Sequence, residues 1–250
     1  LIDKGDVDAA IKAAAKPMIV VGPGALKNGH GAALALARSL NVVRDGWNGF
    51  NVVHTAAARM GALMLGYAQA GGIADIVAAA PKLTFFLGAD EVDFAGFEGS
   101  FKVYVGHHGD KGAHHADVIL PAATYAEKPG TYVNLEGRVQ FSERAVFAPG
   151  EARDDWTILR ALSDVIGRPL PFDDFAGLRG AMIAEVPALG REGRAGYDWN
   201  PPAIDAKGER TVTYPVADFY LTNAICRASP TMQRCSAELV HGEAFAEAAE

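Results

Sequence analysis

The stretch that decides the fold is ADVILPAATYAEKPGTYVNLEGRVQ, residues 116–140. Its apolar residues 118–120 form a compact run that stops at Pro121, and such a run predicts a short strand. Residues 131–134 and 138–142 alternate in polarity on either side of a Leu-Glu-Gly tripeptide, and this pattern predicts a β-hairpin. We therefore expect a strand followed by a hairpin in the middle of the chain.

Glycines and polar side chains in this stretch have expected structural roles. Gly130 and Gly137 suit tight turns, because glycine adopts backbone conformations that other residues avoid. Glu127, Asn134 and Arg138 can lock the hairpin by hydrogen bonds.

Short apolar runs also precede the stretch, and helical patterns separate them. The predicted strands are residues 18–21, 41–44, 83–87 and 101–105, and the predicted helices are residues 3–16, 29–40, 52–68 and 73–80. Short strands without alternation, joined by helices, predict an α/β fold with a parallel, doubly wound sheet that is covered on both faces. The strands end in turns that contain glycine, which is where ligand crevices form in such sheets.

Downstream of the hairpin the pattern becomes helical and then irregular. Asp154 or Asp155 can cap a predicted helix over residues 156–166. Residues 190–210 are rich in glycine and proline, which predicts a linker or an extended arm. A further helix is expected over residues 231–249.

Composition excludes several classes of partner. The chain has 250 residues, half of them hydrophobic, and a net charge of −7 that is spread along the sequence. Without a stripe of Lys and Arg, neither nucleic acid nor an anionic membrane surface is expected to bind directly. The longest apolar stretch, between Arg59 and Asp75, has 15 residues, whereas a membrane-spanning helix needs about 20. We expect no direct insertion into a membrane.

The two cysteines do not predict a metal centre. Cys226 and Cys235 match no zinc or iron–sulfur spacing, and an iron–sulfur cluster needs four ligands. Free thiols in a reducing compartment are the expected state.

A possible dinucleotide site follows the first predicted strand. Gly22-Pro23-Gly24 lies between a strand and a helix, and Asp45 is spaced like a ribose-binding acid. Lys27, however, occupies the position of the third glycine, and proline removes one amide donor. A structural turn is the favoured interpretation, and an NAD-binding domain remains a weaker alternative.

A loop rich in histidine is the second candidate. Its residues are His107, His108, Asp110, His114, His115 and Asp117. Imidazole and carboxylate groups at this density can bind zinc or iron, but adjacent histidines rarely both reach one ion. A polar loop at the end of a strand is the favoured interpretation.

Two pairs of adjacent acids are the third candidate. Asp154-Asp155 and Asp173-Asp174 could suggest general acid–base chemistry, but neighbouring side chains on a helix point apart. Helix capping and surface solvation are favoured.

Residues 116–140 resemble the signature of the molybdopterin oxidoreductase superfamily, in which a strand ending in Leu-Pro is followed by T-x-x-E-K-x-G-T-x-x-N-x-E-G-R-x-Q. Further segments narrow the resemblance to the large iron–sulfur subunits of NADH:quinone oxidoreductase (respiratory complex I). They are GHHGD at 106–110, ARDDW at 152–156, RALS at 160–163, DFYLTN at 218–223 and CRAS at 226–229.

The resemblance implies a structural segment inside an electron-transfer enzyme. In this family an upstream region carries one 2Fe–2S and two 4Fe–4S clusters, and the pterin-enzyme-like body has lost its pterin and metal. No catalytic, cofactor-binding or metal-binding residue is therefore assigned to this chain. The implied partners are other peripheral-arm subunits of complex I. The implied location is peripheral, on the cytoplasmic side of a bacterial inner membrane or the matrix side of a mitochondrial one.

The resemblance also implies a division of the chain and leaves one alternative open. Residues 1–170 are expected to form a molybdopterin-oxidoreductase-like α/β domain, and residues 171–250 a helical or extended arm. The alternative is a molybdopterin-dependent oxidoreductase of the formate dehydrogenase or nitrate reductase type. In that enzyme, turns at Gly22, Gly88 and Gly106 would cradle the cofactor.

Overall fold

The computed structural model describes residues 5–26, 29–68, 71–109, 111–194, 214 and 216–243. The helices are α1 (Gly5–Ala13), α2 (Pro23–Leu26), α3 (His30–Ser39), α4 (Arg59–Met64), α5 (Gly72–Ala78), α6 (Lys111–His115), α7 (Asp155–Val165), α8 (Phe175–Glu185), α9 (Ala224–Ala228) and α10 (Pro230–Cys235). The strands are β1 (Ile19–Val21), β2 (Val43–Arg44), β3 (Trp47–Asn48), β4 (Phe50–Val52), β5 (Leu83–Leu87), β6 (Phe101–Gly106), β7 (Val118–Pro121), β8 (Gly130–Val133), β9 (Arg138–Ser142) and β10 (Gly193–Arg194). Single turns of 3-10 helix cover Phe94–Phe97 and Pro187–Gly190, and a π-helical turn covers Ser236–Val240.

Contacts divide the chain into two compact units. The first unit comprises residues 1–64, 131–140 and 188–215, and the second comprises residues 65–130, 141–187 and 216–250. The limits of these units differ from the domain boundary expected at residue 170. That boundary stays a prediction.

A short parallel sheet organises the start of the first unit. β1 pairs in parallel with β4, with Ile19 opposite Phe50. The strand expected at residues 18–21 is confirmed, but its burial is not, because Val20 is 57% exposed and only Val21 is buried. Of the three residues of β1, Val20 is therefore exposed, Ile19 is half-buried and Val21 is buried.

Two further predictions in the first unit need correction. The strand expected at residues 41–44 is present as β2, but it forms an antiparallel hairpin with β3 instead of joining the parallel sheet. The helix expected over residues 52–68 begins only at Arg59, because β4 extends to Val52. The pairing of β4 with a strand about thirty residues earlier is non-local, so periodicity within the segment did not reveal it.

The predicted hairpin is confirmed as β8 and β9, and it gains a third strand. β10 pairs antiparallel with β9, with Gly193 opposite Val139. Within the linker or extended arm expected over residues 190–210, these two residues are extended and paired, and residues 195–210 lie outside the described part of the chain. Val133 and Val139 are almost fully buried, so the hairpin contributes to a core.

A three-stranded parallel sheet organises the second unit. Its order is β5-β6-β7, with Leu83 opposite Phe101 and Val103 opposite Val118. On one face Phe86 and Tyr104 pack against the 3-10 turn and α6. On the other face Val103 and Val105 pack against Ile158 of α7. The predicted strands and the parallel sheet are confirmed for these residues.

The helices that follow the sheet show how capping fixes their ends. The helix expected over residues 156–166 is confirmed as α7, and Gly167 follows it with a φ of 70°. α8 was not predicted, although Asp174 caps it by accepting from Gly177 N at 2.7 Å. The helix expected over residues 231–249 is instead α10 followed by the π-helical turn. Residues 244–249 lie outside the described part of the chain.

Among the described residues, none of the helices has both the length and the apolar character needed to cross a lipid bilayer.

Candidate functional site at the carboxyl ends of the second sheet

Polar residues collect where the strands of the second sheet end. Asp90 follows β5, His107 and His108 follow β6, and Thr124 and Glu127 follow β7. A cavity of about 480 Å³ lies at this edge, and its lining includes Tyr104, His107, His108, Thr124, Glu127 and Glu151. The sequence predicted a crevice at such strand ends, and the cavity occupies that position.

A buried carboxylate anchors this edge. Asp90 is 3% exposed; its Oδ2 accepts from the Tyr104 hydroxyl at 2.9 Å, and its Oδ1 accepts from Gly112 N at 2.7 Å. A buried carboxylate would be costly without such donors. These two bonds tie β5, β6 and α6 together around Tyr104, which lines the cavity.

Two glycines make room for the Tyr104 ring. A Cβ atom at Gly106 would lie 2.2 Å from the ring, and a Cβ atom at Gly112 would lie 2.3 Å from it. Neither Asp90 nor Tyr104 was singled out from the sequence. The sequence offered only one signal for Asp90, its position two residues after the glycine that follows a predicted strand. That pattern predicted a turn and nothing more.

His107 and His108 form a contact of their own. Their Nδ1 atoms lie 2.6 Å apart, so one ring donates and the other accepts, and the rings meet edge to face at 4.8 Å. Burial lowers the pKa of His107, and the nearby charges of His108 and Lys128 lower it further against the opposing effect of Asp90 and Asp155. These effects favour the neutral form of His107.

The structure separates the remaining residues of the histidine-rich loop from this pair. His114 and His115 line a second cavity of about 730 Å³, where the His115 ring stacks on Phe94 at 4.9 Å. Asp117 lies before β7, at the opposite end of the sheet, and accepts from Lys102 N at 2.7 Å. Asp110 lies outside the described residues. In the described part of the chain, no three His, Cys, Asp or Glu residues are placed to hold a metal ion.

The loop after β7 is held by its own signature residues. Glu127 Oε2 accepts from Thr124 N at 2.8 Å, and Glu127 N donates to Thr124 O at 3.1 Å. Lys128 forms an ion pair with Asp155 in the first turn of α7. Glu127 therefore closes a turn before the hairpin rather than locking the hairpin itself.

Asn134 performs the expected role in the hairpin turn. Its Oδ1 accepts from Glu136 N and from Arg138 N, both at 3.0 Å. The Arg138 side chain forms an ion pair with Glu136 at 3.6 Å, with both groups exposed, and so contacts the turn rather than bridging the two strands. Gly137 has a φ of 76°, as its turn requires, whereas Gly130 begins β8 and has no positive φ, so its predicted role is wrong.

The structure gives the two pairs of adjacent acids separate structural roles. Asp154 occupies the N-cap position of α7 without a side-chain cap bond, and Asp155 pairs with Lys128. Asp173 pairs with Arg160 at 2.7 Å, and Asp174 caps α8. Hydrogen bonds from Arg160 to Asp164 and then to Asp173 raise the pKa of the arginine. Neither pair of acids faces a common point.

The proposed dinucleotide arrangement is not assembled by the described residues. Asp45 lies in the turn of the β2–β3 hairpin, where Gly46 has a φ of 71°, and not at the end of a strand of the β1–β4 sheet. Pro23 begins the four-residue helix α2, and Lys27 lies outside the described residues. The structural turn is the interpretation that fits.

The two cysteines lie on successive short helices. Cys226 is on α9, Cys235 ends α10, and both are free thiols. Neither has a described His, Cys or acid group around it that could complete a metal site.

Comparison with known families identifies this arrangement. The family model for molybdopterin oxidoreductase matches residues 5–165, which is more than half of the chain. The chain belongs to the molybdopterin oxidoreductase family. The resemblance carried by residues 116–140 is thereby confirmed. A second family model, which describes the C-terminal region of an NADH-ubiquinone oxidoreductase subunit, matches residues 200–235.

Individual relatives of this molybdopterin oxidoreductase family member support the narrower resemblance to the large iron–sulfur subunits of NADH:quinone oxidoreductase. The mitochondrial NADH-ubiquinone oxidoreductase 78 kDa subunit of Neurospora crassa is 40% identical over 96% of the chain. The NADH-ubiquinone oxidoreductase 75 kDa subunit of Reclinomonas americana is 39% identical over 88%. The mitochondrial NADH dehydrogenase [ubiquinone] iron-sulfur protein 1 of Solanum tuberosum is 40% identical over 92%. The chain spans about a third of the length of these relatives, 34%, 34% and 32% respectively.

The family name implies a pterin cofactor, and the cavity can be tested against it. A dinucleotide form of that cofactor carries a pyrophosphate, which needs cations or several free amide donors. The described residues that line the cavity include the carboxylates of Glu127 and Glu151 and the imidazole of His107, but no Lys or Arg. The lining therefore offers no cationic side chain to the phosphates of an anionic pterin dinucleotide.

Proposed function

We propose that this chain is part of the iron–sulfur subunit of an NADH–ubiquinone oxidoreductase of the complex I type and serves there as a structural body. The supporting observation is the identity of 39–40% to 75 and 78 kDa subunits along 88–96% of the chain. Its role is to support a cluster-bearing region and neighbouring subunits during electron transfer from NADH to quinone.

The clusters belong elsewhere in the parent subunit under this proposal. The parent carries one 2Fe–2S and two 4Fe–4S clusters upstream of this segment, and the segment itself binds no cofactor. Two free cysteines on adjacent short helices support this view, because a cluster requires four protein ligands.

Partners and location follow from the same proposal. The partners are other subunits of the peripheral arm, and the location is the matrix or cytoplasmic face of the energy-conserving membrane. The net charge of −7 supports protein partners over nucleic acid.

The finer features of the fold are also part of the proposal. The parallel sheets β1–β4 and β5-β6-β7 are taken as parts of a doubly wound molybdopterin-oxidoreductase body within residues 1–170. Residues 171–250 are taken as a C-terminal arm. Chymotryptic digestion of the full-length subunit would test the boundary, since cleavage near residue 170 is expected before cleavage within β5-β6-β7.

The decisive experiment replaces both cysteines in the full-length subunit. The double variant Cys226→Ser and Cys235→Ser should retain the iron content and the electron paramagnetic resonance signals of the wild-type subunit, because neither thiol binds a cluster. The single variants serve as matched controls. Loss of one cluster signal from a folded double variant would overturn the proposal that this segment holds no redox centre.

The second candidate is a molybdopterin-dependent oxidoreductase. Its one supporting observation is the family match to residues 5–165. Acid extraction and oxidation of the full-length protein would yield a fluorescent pterin if this candidate were right. We expect no pterin, because the described lining of the cavity lacks cationic groups for its phosphates. Stoichiometric pterin or molybdenum would favour this candidate over the structural role.

A further inference from the structure

The cavity at the carboxyl end of β5-β6-β7 combines an apolar wall with two carboxylates. Ile119, Pro121, Ala122 and Pro149 supply apolar surface to its lining. Its volume of about 480 Å³ lies within the range of about 300–1,000 Å³ that is typical of small-molecule sites. Such sites are mostly apolar and hold a few polar groups that orient the ligand. The charges of those polar groups then decide which class of ligand the cavity accepts.

The charges around the cavity leave a negative excess. Glu127 and Glu151 line it, and no Lys or Arg of the described chain does. Two cations adjoin these residues, but each is paired with a carboxylate, Lys128 with Asp155 and Arg153 with Glu151. Glu127 has no ion-pair partner among the residues that the structure describes. The unneutralised charge at the cavity is therefore that of Glu127.

Glu127 is held in a fixed position with one oxygen left open. Its Oε2 accepts from Thr124 N at 2.8 Å, whereas its Oε1 has no donor in the described part of the chain. The side chain is half-buried, so solvent and salt screen its charge less than that of a fully exposed acid. A carboxylate positioned in this way is a preorganised acceptor for a charged donor.

The histidine pair adds one more acceptor to the lining. Because the Nδ1 atoms of His107 and His108 lie 2.6 Å apart, a single proton lies between them. In the neutral pair, the ring that carries this proton has an unprotonated Nε2, and the other ring has a protonated Nε2. Both residues line the cavity. A donor group in the cavity therefore meets an imidazole acceptor in addition to the carboxylates.

The geometry points to this cavity as a binding site for a small organic cation, with an ammonium or guanidinium group at Glu127 and an apolar body against Ile119 and Pro121. An anion would meet two like charges and no cationic side chain in the described lining. A neutral apolar ligand would take water from the carboxylate of Glu127 without replacing it by a donor, which is costly. A planar amidinium or guanidinium fits best, because its parallel N–H groups match carboxylate geometry. The inference goes beyond the structural role and requires no redox centre.

Ligand-observed NMR titrations of the full-length subunit with three probes of similar shape test this inference. Benzamidine is a cation, benzamide is its neutral counterpart, and benzoate is an anion. Benzamidine should bind about tenfold more tightly than benzamide, because a hydrogen bond to a charged group is stronger than one between neutral groups. Benzoate should not bind. Raising the NaCl concentration from about 0.05 M to about 0.5 M should weaken the binding of benzamidine.

Three glutamate variants locate the site. Glu127→Gln removes the charge but keeps an oxygen that can accept from Thr124 N, so it should weaken benzamidine binding about tenfold. Glu151→Gln changes a side chain that is 89% exposed, so folding is preserved, and it should weaken binding about two- to fivefold. Glu98→Gln is the matched control, because Glu98 lines the separate second cavity. It should leave the binding of benzamidine unchanged.

Several results would overturn the inference. Equal affinities for benzamidine and benzamide would show that charge does not select the ligand, and preferred binding of benzoate would reverse the assigned sign. Failure of the folded wild-type subunit to bind benzamidine would dismiss the site. Binding that Glu98→Gln weakens, or that both Glu127→Gln and Glu151→Gln leave unchanged, would place the cation elsewhere. Iron content and cluster signals test the proposed function separately.

Discussion

Substitution of Gly112 by alanine probes the packing around Tyr104 and Asp90. The new Cβ atom would lie 2.3 Å from the Tyr104 ring and 2.6 Å from Asp90 Oδ1. Movement of the ring is costly, because Tyr104 is 1% exposed and its hydroxyl is bonded to Asp90. The substitution must therefore either displace the ring or lengthen the hydrogen bond from Gly112 N.

The expected cost follows from three contributions. Overpacking of a close-packed site costs about 1–3 kcal/mol. Weakening a buried hydrogen bond to a carboxylate costs about 1.5–3 kcal/mol when the bond is lost entirely. Alanine recovers about 1 kcal/mol of helix propensity in α6. The net loss of stability is about 3 kcal/mol, which corresponds to roughly a hundredfold increase in local opening.

Hydrogen–deuterium exchange measures this opening directly. Amides of β6 and α6 that exchange by opening of the sheet should exchange about a hundredfold faster in Gly112→Ala than in the wild type. Gly180→Ala is the matched control, because this glycine is exposed within α8 and has free space around its Cβ position. It should stabilise its helix by about 0.5–1 kcal/mol.

The reasoning can be refuted by a double-mutant cycle. In a Tyr104→Ala background the clash with the ring is absent and only the 2.6 Å contact with Asp90 Oδ1 remains, so Gly112→Ala should cost clearly less stability than in the wild type. Equal effects of Gly112→Ala in both backgrounds would show that the Tyr104 ring does not limit the space at position 112. Unchanged exchange in the single variant would lead to the same conclusion.

Three further predictions concern the signature loop and the histidine pair. Asn134→Ala should cost about 1–2 kcal/mol of stability through the loss of two turn hydrogen bonds, and Asn134→Asp should recover part of it in urea unfolding. A double-mutant cycle on Lys128 and Asp155 should give a favourable coupling of about 0.2–1 kcal/mol, because both side chains are about 30% exposed. A coupling above about 2 kcal/mol would contradict this assignment of a solvent-screened pair. Because the folded-state pKa of His107 is lowered, its contribution to stability is present above pH 6.5 and is lost as pH falls towards the lowered pKa. His108→Asn should raise the pKa of His107 in an NMR titration, and a further decrease would contradict the assigned cause.

The sequence by itself determined the local elements and the family. Proline and glycine positions bounded α1, α3, α5 and α7 within a few residues, because stop signals act through the backbone of the segment itself. The hairpin turn was equally local, since Asn134 and Gly137 supply its hydrogen bonds and its positive φ. The many fixed positions of residues 116–140 carried the family resemblance.

Only the tertiary structure decided which distant groups meet. Asp90, Tyr104 and Gly112 span more than twenty residues of sequence, and no period or motif relates a buried acid to the tyrosine that it holds. The position of β4 beside β1 and the separation of His107 from His115 likewise depend on strand pairing. Such pairings form through non-local contacts, and the free energy of a non-local contact is not encoded in any single segment of the chain.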